Sequence, residues 1–393
     1  MMELGVIFGS RASEHDVSII SGLQILENAD KGKYHAFPIY IARSGAWYVG
    51  EPLRDVKTYR DFDPQQKGLT RVFLPPEPGH NALYSFGSGL FGKAQRVCGL
   101  DCAILALHGM HGEDGTVQGL MELADIPYSS CGLVGSAVGM DKIVMKAVFK
   151  SMGLPVLPAV YCNRAEWQQD PQAVLAKAEG EIGYPMFIKP ANLGSSIGIG
   201  KAVDPDGFRQ AMEVAASFDR RILIERAVEH PVEINCACLG NSQEALPSLC
   251  EQPACWDTFL TFEEKYIRGD GKGMKSLSRQ IPAPISPELT KQIQDYTVEV
   301  FRMLECKGVV RVDYILEGEQ VYINEINTIP GSFAFYLYEP MGISFAALVD
   351  QLVAYAQQGL EEKQASSFAF RSEILNKAIS GAKITKKKGD AHA

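Results

Sequence analysis

The chain has 393 residues, enough for two or three domains with real cores, and its apolar and charged fractions, 46% and 22%, are those of a globular protein. A net charge of −9 speaks against nucleic acid as a partner, although a local basic site stays possible, and no apolar stretch approaches the length of a membrane span. With no basic leader before the first apolar run, and nine cysteines scattered without a C-x-x-C pair, the composition points to a reduced cytoplasmic enzyme whose thiols are mostly buried.

In chain order, Leu4 to Phe8 is a β-run and Gly9-Ser10 a turn. Ser13, with Asp16 three places on, reads as a capping box that starts a helix, with Asp in place of Glu. Strand, turn and helix recur at Ala103 to Leu107 and the glycine-rich Gly109 to Gly115, which predicts a parallel α/β domain over 1–128. Within it, residues 60–98 are rich in Pro, Gly and aromatics and read as an insertion of poorly defined structure, or a hairpin. His108 and His111 lack the rest of a zinc ligand set, so a loop or structural role is favoured.

A second region, 129–224, opens with a helix around Met140 to Met152. It carries Phe187-Ile-Lys-Pro-Ala-Asn-Leu-Gly-Ser-Ser-Ile-Gly-Ile-Gly-Lys201, a Gly/Ser loop between two strand-like runs, with Ile197 and Ile199 resuming the alternation. Glycines let a backbone approach an anion, and the N–H groups of such a turn form a nest for phosphate oxygens. Neither a P-loop nor a G-x-G-x-x-G frame fits, and taken alone such a loop is more often an ordinary hairpin.

A third region, 225–372, alternates Pro-rich and charged loops with strands and a helix near Pro287 to Leu304. Residues 373–393, with Lys386 to Lys388, read as a flexible, solvated tail. Val309 to Leu316 and Val321 to Asn327 predict a β-hairpin. Arg311 and Asp313 share one strand face, as do Glu325 and Asn327. A three-residue loop at Gly318 to Gln320 sets Asp313 opposite Glu325 and Arg311 opposite Asn327. Opposed carboxylates call for a cation between them, and hard oxygens suit Mg²⁺ on a nucleotide's phosphates. The hairpin by itself is equally compatible with an exposed polar face neutralised by Arg311.

Taken together, these features resemble the ATP-grasp fold, an α/β and α+β architecture in which an N-terminal parallel α/β domain precedes two lobes enclosing the nucleotide. Six segments resemble, in order, the motifs of D-alanine–D-alanine ligases: Glu14-His-Asp-Val-Ser18, Leu107-His-Gly-Met-His-Gly-Glu-Asp-Gly115, Met140-Asp-Lys142, Gly194-Ser-Ser-Ile-Gly198, Glu264-Lys-Tyr266 and Asn324-Glu-Ile-Asn-Thr-Ile-Pro-Gly331.

The resemblance implies that Lys142, Lys189 and Ser196 serve the ATP phosphates, Lys265 the transferred phosphate, Glu225 and the backbone to Val228 the adenine, and Glu233 the ribose. Glu14 would meet the ammonium of the first amino acid beside Ser195 and Tyr266. Two Mg²⁺ ions, with Mn²⁺ an alternative, would sit on Asp313, Glu325 and Asn327. Arg311 and the Gly331 N–H would stabilise a tetrahedral oxyanion. The family reaction turns one D-alanine into an acyl phosphate, which the amine of the second then attacks, while a loop around Phe262 to Gly273 closes to exclude water. A homodimer is implied, with D-alanine and ATP as small-molecule substrates. One departure stands out: Tyr336 occupies the place where relatives carry a Ser for the second substrate's carboxylate. This leaves open another acceptor, such as D-serine, and a catalytically silent nucleotide-binding regulator is a further alternative.

Overall fold

The computed structural model describes residues 1–87, 92–253 and 279–367, together with 372, 374 and 375. Three sheets organise them. The first is built from β1 (Met2–Gly9), followed by helix α1 (His15–Asn28), β2 (Tyr34–Ile41), β3 (Trp47–Val49), β4 (Thr70–Phe73), β5 (Ala82–Ser85), β6 (Gln95–Gly99), β7 (Cys102–Leu105), helix α2 (Thr116–Ala124) and β8 (Tyr128–Ser129). Its order is β6-β5-β4-β3-β2-β1-β7-β8. The β2, β1, β7 and β8 ladders are parallel, as strand–turn–helix repeats require. Val6, Ile7 and Phe8 are wholly buried because α1 covers one side of β1 and packed chain covers the other.

Two expectations for this region need correcting. The described part of 60–98 is not poorly defined: β4, β5 and β6 continue the sheet antiparallel beyond β3, and β5 pairs with β6 as the hairpin alternative has it. Buried Val72, Ala82 and Leu83 provide the apolar side that seats them. Nor does the capping box form. The N-cap of α1 is Glu14 and makes no side-chain cap bond; Ser13 Oγ donates to Glu14 Oε2 at 2.8 Å, and Asp16 pairs with Arg43 at 2.7 Å. Ser13 precedes the N-cap position, and its hydroxyl donates to the Glu14 carboxylate in a charge-assisted bond.

The second region runs α3 (Leu133–Met140), α4 (Lys142–Ser151), β9 (Ala159–Asn163), α5 (Arg164–Gln169), α6 (Pro171–Glu181), β10 (Met186–Pro190), β11 (Gly200–Ala202), α7 (Pro205–Phe218) and β12 (Arg221–Arg226). Its antiparallel sheet, β11-β10-β12-β9, packs Ile188 and Ile224 against Phe208, Met212 and Ala215 of α7. The helix expected around Met140 to Met152 is α4, Lys142–Ser151, and a break at Asp141 separates it from α3. Asp141 leaves helical geometry at φ −88°, ψ 102° and caps α4 by accepting from Ile143 N and Val144 N, each at 3.0 Å. Lys142 thereby becomes the first residue of a new helix.

The third region comprises β13 (Val232–Gly240), β14 (Ala245–Pro247), α8 (Pro287–Met303), β15 (Gly308–Glu317), β16 (Gln320–Asn327) and α9 (Phe345–Gln364), with sheet order β14-β13-β15-β16. Ser286 caps α8 and Pro287 opens it, so the helix starts where its sequence places a stop to the preceding loop. Ile293, Val300 and Phe301 of α8 share a core with Val310 and Val312, and Met145 and Phe149 of α4 join that core. Helix α9 returns to the first sheet: Leu348, Val349 and Leu352 pack in one cluster with Leu105 and Val309. A shared close-packed core fixes the first and third sheets against each other to within side-chain tolerances.

Candidate active site

Lys189 ends β10, and the Gly/Ser loop after it leads into β11. The ladder resumes at Gly200, three residues later than an alternation starting at Ile197 predicts. Ser195 and Ser196 occupy the left-handed region, at φ 55° and 60°, and Ile197 N closes a turn on Gly194 O. Such a turn aims successive N–H groups to one side, the geometry of an anion nest. The loop is pinned at its near end, where Lys142 Nζ donates to Leu193 O at 2.8 Å. Its tip lies over the first region: a Cβ on Gly194 would stand 2.9 Å from Glu14 Oε1, and one on Gly109 2.2 Å from Glu14 Oε2. Glu14 is therefore held, almost buried, between two glycines from different regions.

Beneath the loop lies a buried cationic cluster. Lys189 Nζ donates to Glu225 Oε2 at 2.7 Å and to Asn324 Oδ1 at 3.3 Å, and Lys146 pairs with the other Glu225 oxygen. Burial alone would raise the Glu225 carboxyl, but the two ammonium groups outweigh it and hold it below its ordinary value. Burial pushes Lys146 the other way, down from the ordinary lysine value. Glu225, expected to face adenine, thus directs its carboxylate at two lysines. Val228 is buried just beyond it, and Glu233 is exposed on β13. Lys146 was missed from sequence, although it lies one helical turn after Lys142, on the same face.

The β15–β16 hairpin brings Asp313 opposite Glu325 and Arg311 opposite Asn327, the predicted pairing, by a different route. The turn has two residues, since Glu317 pairs with Gln320, and Gly318 takes φ 62°; a bulge between Asp313 and Tyr314 restores the register. Arg311 grips Asp313 through Nε at 2.6 Å and Nη2 at 2.8 Å, while Asn327 Nδ2 donates to Asp313 Oδ2 at 3.0 Å. Lys142 Nζ lies 3.2 Å from Glu325 Oε2. Two facing carboxylates and an amide give an oxygen donor set suited to a hard divalent cation, so the residues fit Mg²⁺. The row extends across the sheet: Asn235 of β13 opposes Asp313 and bridges to Glu251, and Asn235 Nδ2 donates to Glu251 Oε2 at 3.3 Å.

After β16 the chain forms a strap, 328–337, clamped from the first region. Glu113 accepts from Gly109 N and Ile329 N, both at 2.8 Å. Burial, reinforced by Glu14 and Glu325 and opposed by those N–H groups, pushes its carboxyl up to about 7. His108 Nδ1 donates to Ile329 O at 2.8 Å, and its Nε2 accepts from Ser21 Oγ at 2.8 Å, so neither ring nitrogen faces open space. Burial drives this imidazole down to about 4, keeping it neutral. Ser21 Oγ also accepts from Ser332 N at 3.2 Å. These clamps hold Ser332, Phe333 and Ala334 at φ 51°, 55° and 48°. Left-handed backbone costs a non-glycine residue about 1–2 kcal/mol, so the strap is shaped by its surroundings. It presents Gly331 at its start. Tyr336, at its end, donates its hydroxyl to Glu251 Oε2 at 3.0 Å, with the Arg279 guanidinium 4.2 Å over the ring. Glu113, Asn235, Glu251 and Arg279 stood outside the sequence reading. Only Glu113 lay within a quoted motif, and the others converge through strand register.

A narrow cleft, open to solvent, is lined by Gly109 and Glu113, by Lys142 and Gly194, and by Glu325 and Asn327, one pair from each region. Lys265, Tyr266 and the 262–273 loop lie outside the described residues, as does the tail from Ser380.

Two lobes of antiparallel sheet meeting over paired lysines and an acidic hairpin, behind an α/β domain, define an ATP-grasp protein. The family model for the D-ala D-ala ligase N-terminus matches residues 3–131, and that for the C-terminus matches 148–354. Similar relatives include a D-alanine–D-alanine ligase of Thermosipho melanesiensis, 36% identical over 93% of this chain and 96% of that one. Another, from Acetivibrio thermocellus, is 37% identical over 90% and 95%. Among solved structures, the D-alanine-D-alanine ligase of Coxiella burnetii superposes with a TM-score of 0.76 at 27% identity, covering 93% of this chain and 98% of that chain. The VanG D-Ala:D-Ser ligase of Enterococcus faecalis gives 0.76 at 30% identity, covering 90% and 99%. The chain belongs to the D-alanine–D-alanine ligase family.

Proposed function

We propose that the chain joins two D-alanine molecules at the expense of ATP, through an acyl phosphate, to supply a peptidoglycan precursor. The observation that carries this reading is the convergence of Lys142, Lys189, Asp313, Glu325 and Asn327 beside Glu14, with elements of all three regions lining one cleft. ATP lies between the 129–224 and 225–372 lobes, its phosphates under the 194–198 loop, with Lys142, Lys189 and Ser196 around them, adenine near Glu225 and Val228, and ribose at Glu233. Asp313, Glu325 and Asn327 hold Mg²⁺, as two ions, or Mn²⁺ in its place, whose charge when bound offsets that of the phosphate oxygens. Glu14 takes the first ammonium, with Ser195 serving the same end of the site. Arg311 and Gly331 N face the carbonyl oxygen that becomes anionic when the second amine attacks. The protein works in the cytoplasm as a homodimer; no single described helix is long and apolar enough to cross a membrane.

The test is phosphate release from ATP in the presence of D-alanine, with the product identified by mass. Release dependent on D-alanine and a dipeptide product are expected. Nucleotide binding without turnover would instead make the chain a regulator. A second reading, ligation of D-alanine to another acceptor such as D-serine, is favoured by one observation, the Tyr336–Glu251–Arg279 cluster. Tyr336→Ser should change the ratio of catalytic efficiencies among D-alanine, D-serine and bulkier acceptors by roughly tenfold, because it breaks the bond to Glu251 and opens the pocket. An unchanged ratio with weakened ATP binding would place Tyr336 elsewhere in the reaction.

Gly109→Ala should act on the other amino acid. Gly109 has φ 70°, so alanine there is strained by about 1–2 kcal/mol, and its methyl group overlaps the Glu14 carboxylate. Glu14 can swing aside, so the fold survives while the ammonium site moves. The Michaelis constant for the first D-alanine should rise roughly tenfold to a hundredfold, with that for ATP nearly constant. Equal changes in both constants would argue against Glu14 as the ammonium site.

A further inference from the structure

The hairpin carboxylates belong to a longer polar row. Glu325, Asp313, Asn235 and Glu251 oppose one another in turn across β16, β15, β13 and the segment bridged to β13. Directly opposed residues share a face, and strands lie about 4.8 Å apart, so Glu251 stands roughly 10 Å from Asp313. That interval spans the reacting centre and the length of one amino acid. The far end of the row holds Arg279, which lies 3.3 Å from Glu251 Oε1 through Nε and stacks on Tyr336. Nε and Nη1 of Arg279 are buried and make no aligned hydrogen bond among the described residues. A buried guanidinium has five donors and is costly to leave unsatisfied; Nε faces the Glu251 carboxylate, so the open Nη1 marks a place for an anion. The Tyr336 hydroxyl is already committed to Glu251, and Arg311, gripped on one side by Asp313, faces the carbonyl oxygen in the proposed arrangement.

We propose that Arg279 receives the carboxylate of the acceptor amino acid, held in position by Glu251 on one side and the Tyr336 ring on the other. The arrangement replaces a short hydroxyl by a guanidinium. Glu251 offsets the charge of Arg279 when the site is empty, and the planar fork of the guanidinium suits a carboxylate. This rests on the ligase reading of the preceding section. It makes the free carboxylate, rather than the side chain, the feature by which an acceptor is chosen.

The experiment compares D-alanine with D-alaninamide as acceptor, in wild type, Arg279→Met and Arg279→Met/Glu251→Gln. Products are separated by mass, and ATP constants and thermal unfolding are measured in parallel. Wild type should prefer D-alanine strongly. In Arg279→Met that preference should fall tenfold or more through the acceptor Michaelis constant, with the ATP constant nearly unchanged. Should Arg279→Met fail to fold because Glu251 is left without its partner, the double variant removes that charge and must show the same loss. A variant that turns over and keeps the full preference for D-alanine overturns the proposal and leaves the ligase reading standing. A wild-type protein that releases no phosphate with any amino acid overturns both.

Discussion

Glu325→Gln is expected to lower turnover by about 10²–10³, with little change in thermal stability. The substitution keeps the shape of the side chain but removes one of the two facing charges that recommend the hairpin as a cation site. It also weakens the hold on Lys142, whose ammonium lies 3.2 Å from Glu325 and 2.8 Å from the loop carbonyl of Leu193. In the proposed arrangement both effects act on the phosphate end of the cleft. The check is turnover against Mg²⁺ concentration in a variant whose unfolding temperature matches wild type. Wild-type rates at limiting Mg²⁺ would remove Glu325 from the metal site.

Lys189→Met should cost about 10² or more in kcat/KM for ATP, and it should also destabilise the fold. Lys189 is one of two cations on a fully buried Glu225. Removing one partner of a buried ion pair costs about 3–5 kcal/mol, and here Lys146 retains part of the interaction, so the lower end applies. The pH dependence has a definite sign. The folded carboxyl of Glu225 is depressed, so its contribution is present above about pH 4.5, its ordinary value, and is lost as pH falls through the folded value. The stability gap between wild type and the variant should therefore be widest at neutral pH and shrink on acidification. A gap independent of pH would mean that Lys189 acts through packing rather than charge. Nucleotide titration of Tyr266→Phe offers a contrast, because the family resemblance puts that hydroxyl on the amino-acid side of the site.

Local sequence carried a large part of this site because the relevant residues lie close together in the chain. The facing of Asp313 and Glu325 follows from period-two alternation on a hairpin, and it survives an incorrect turn length because a bulge supplies the missing residue. The strand–loop–strand topology around Lys189 was legible from β-favouring runs flanking a glycine-rich turn. Motif order then extended these local signals to a family and a reaction.

What only the tertiary structure decided is every relation set by packing between regions. No periodicity reveals that Gly109 and Gly194 enclose Glu14, or that Glu113 and His108 clamp a strap more than two hundred residues away. Glu225 shows the limit most clearly: a single carboxylate in a strand carries no mark of the two lysines it meets, since Lys146 comes from a helix in another core. Tyr336 was visible as a departure from its relatives, but its bond to Glu251 and its stacking with Arg279 depend on strand pairing and on a left-handed turn that its own residues disfavour. Sequence by itself determined the strands flanking the Gly/Ser loop and the facing of the hairpin carboxylates, because these depend on neighbours in the chain. The cluster of Tyr336, Glu251 and Arg279 was decided by the fold, because only the burial of distant charges against one another creates it.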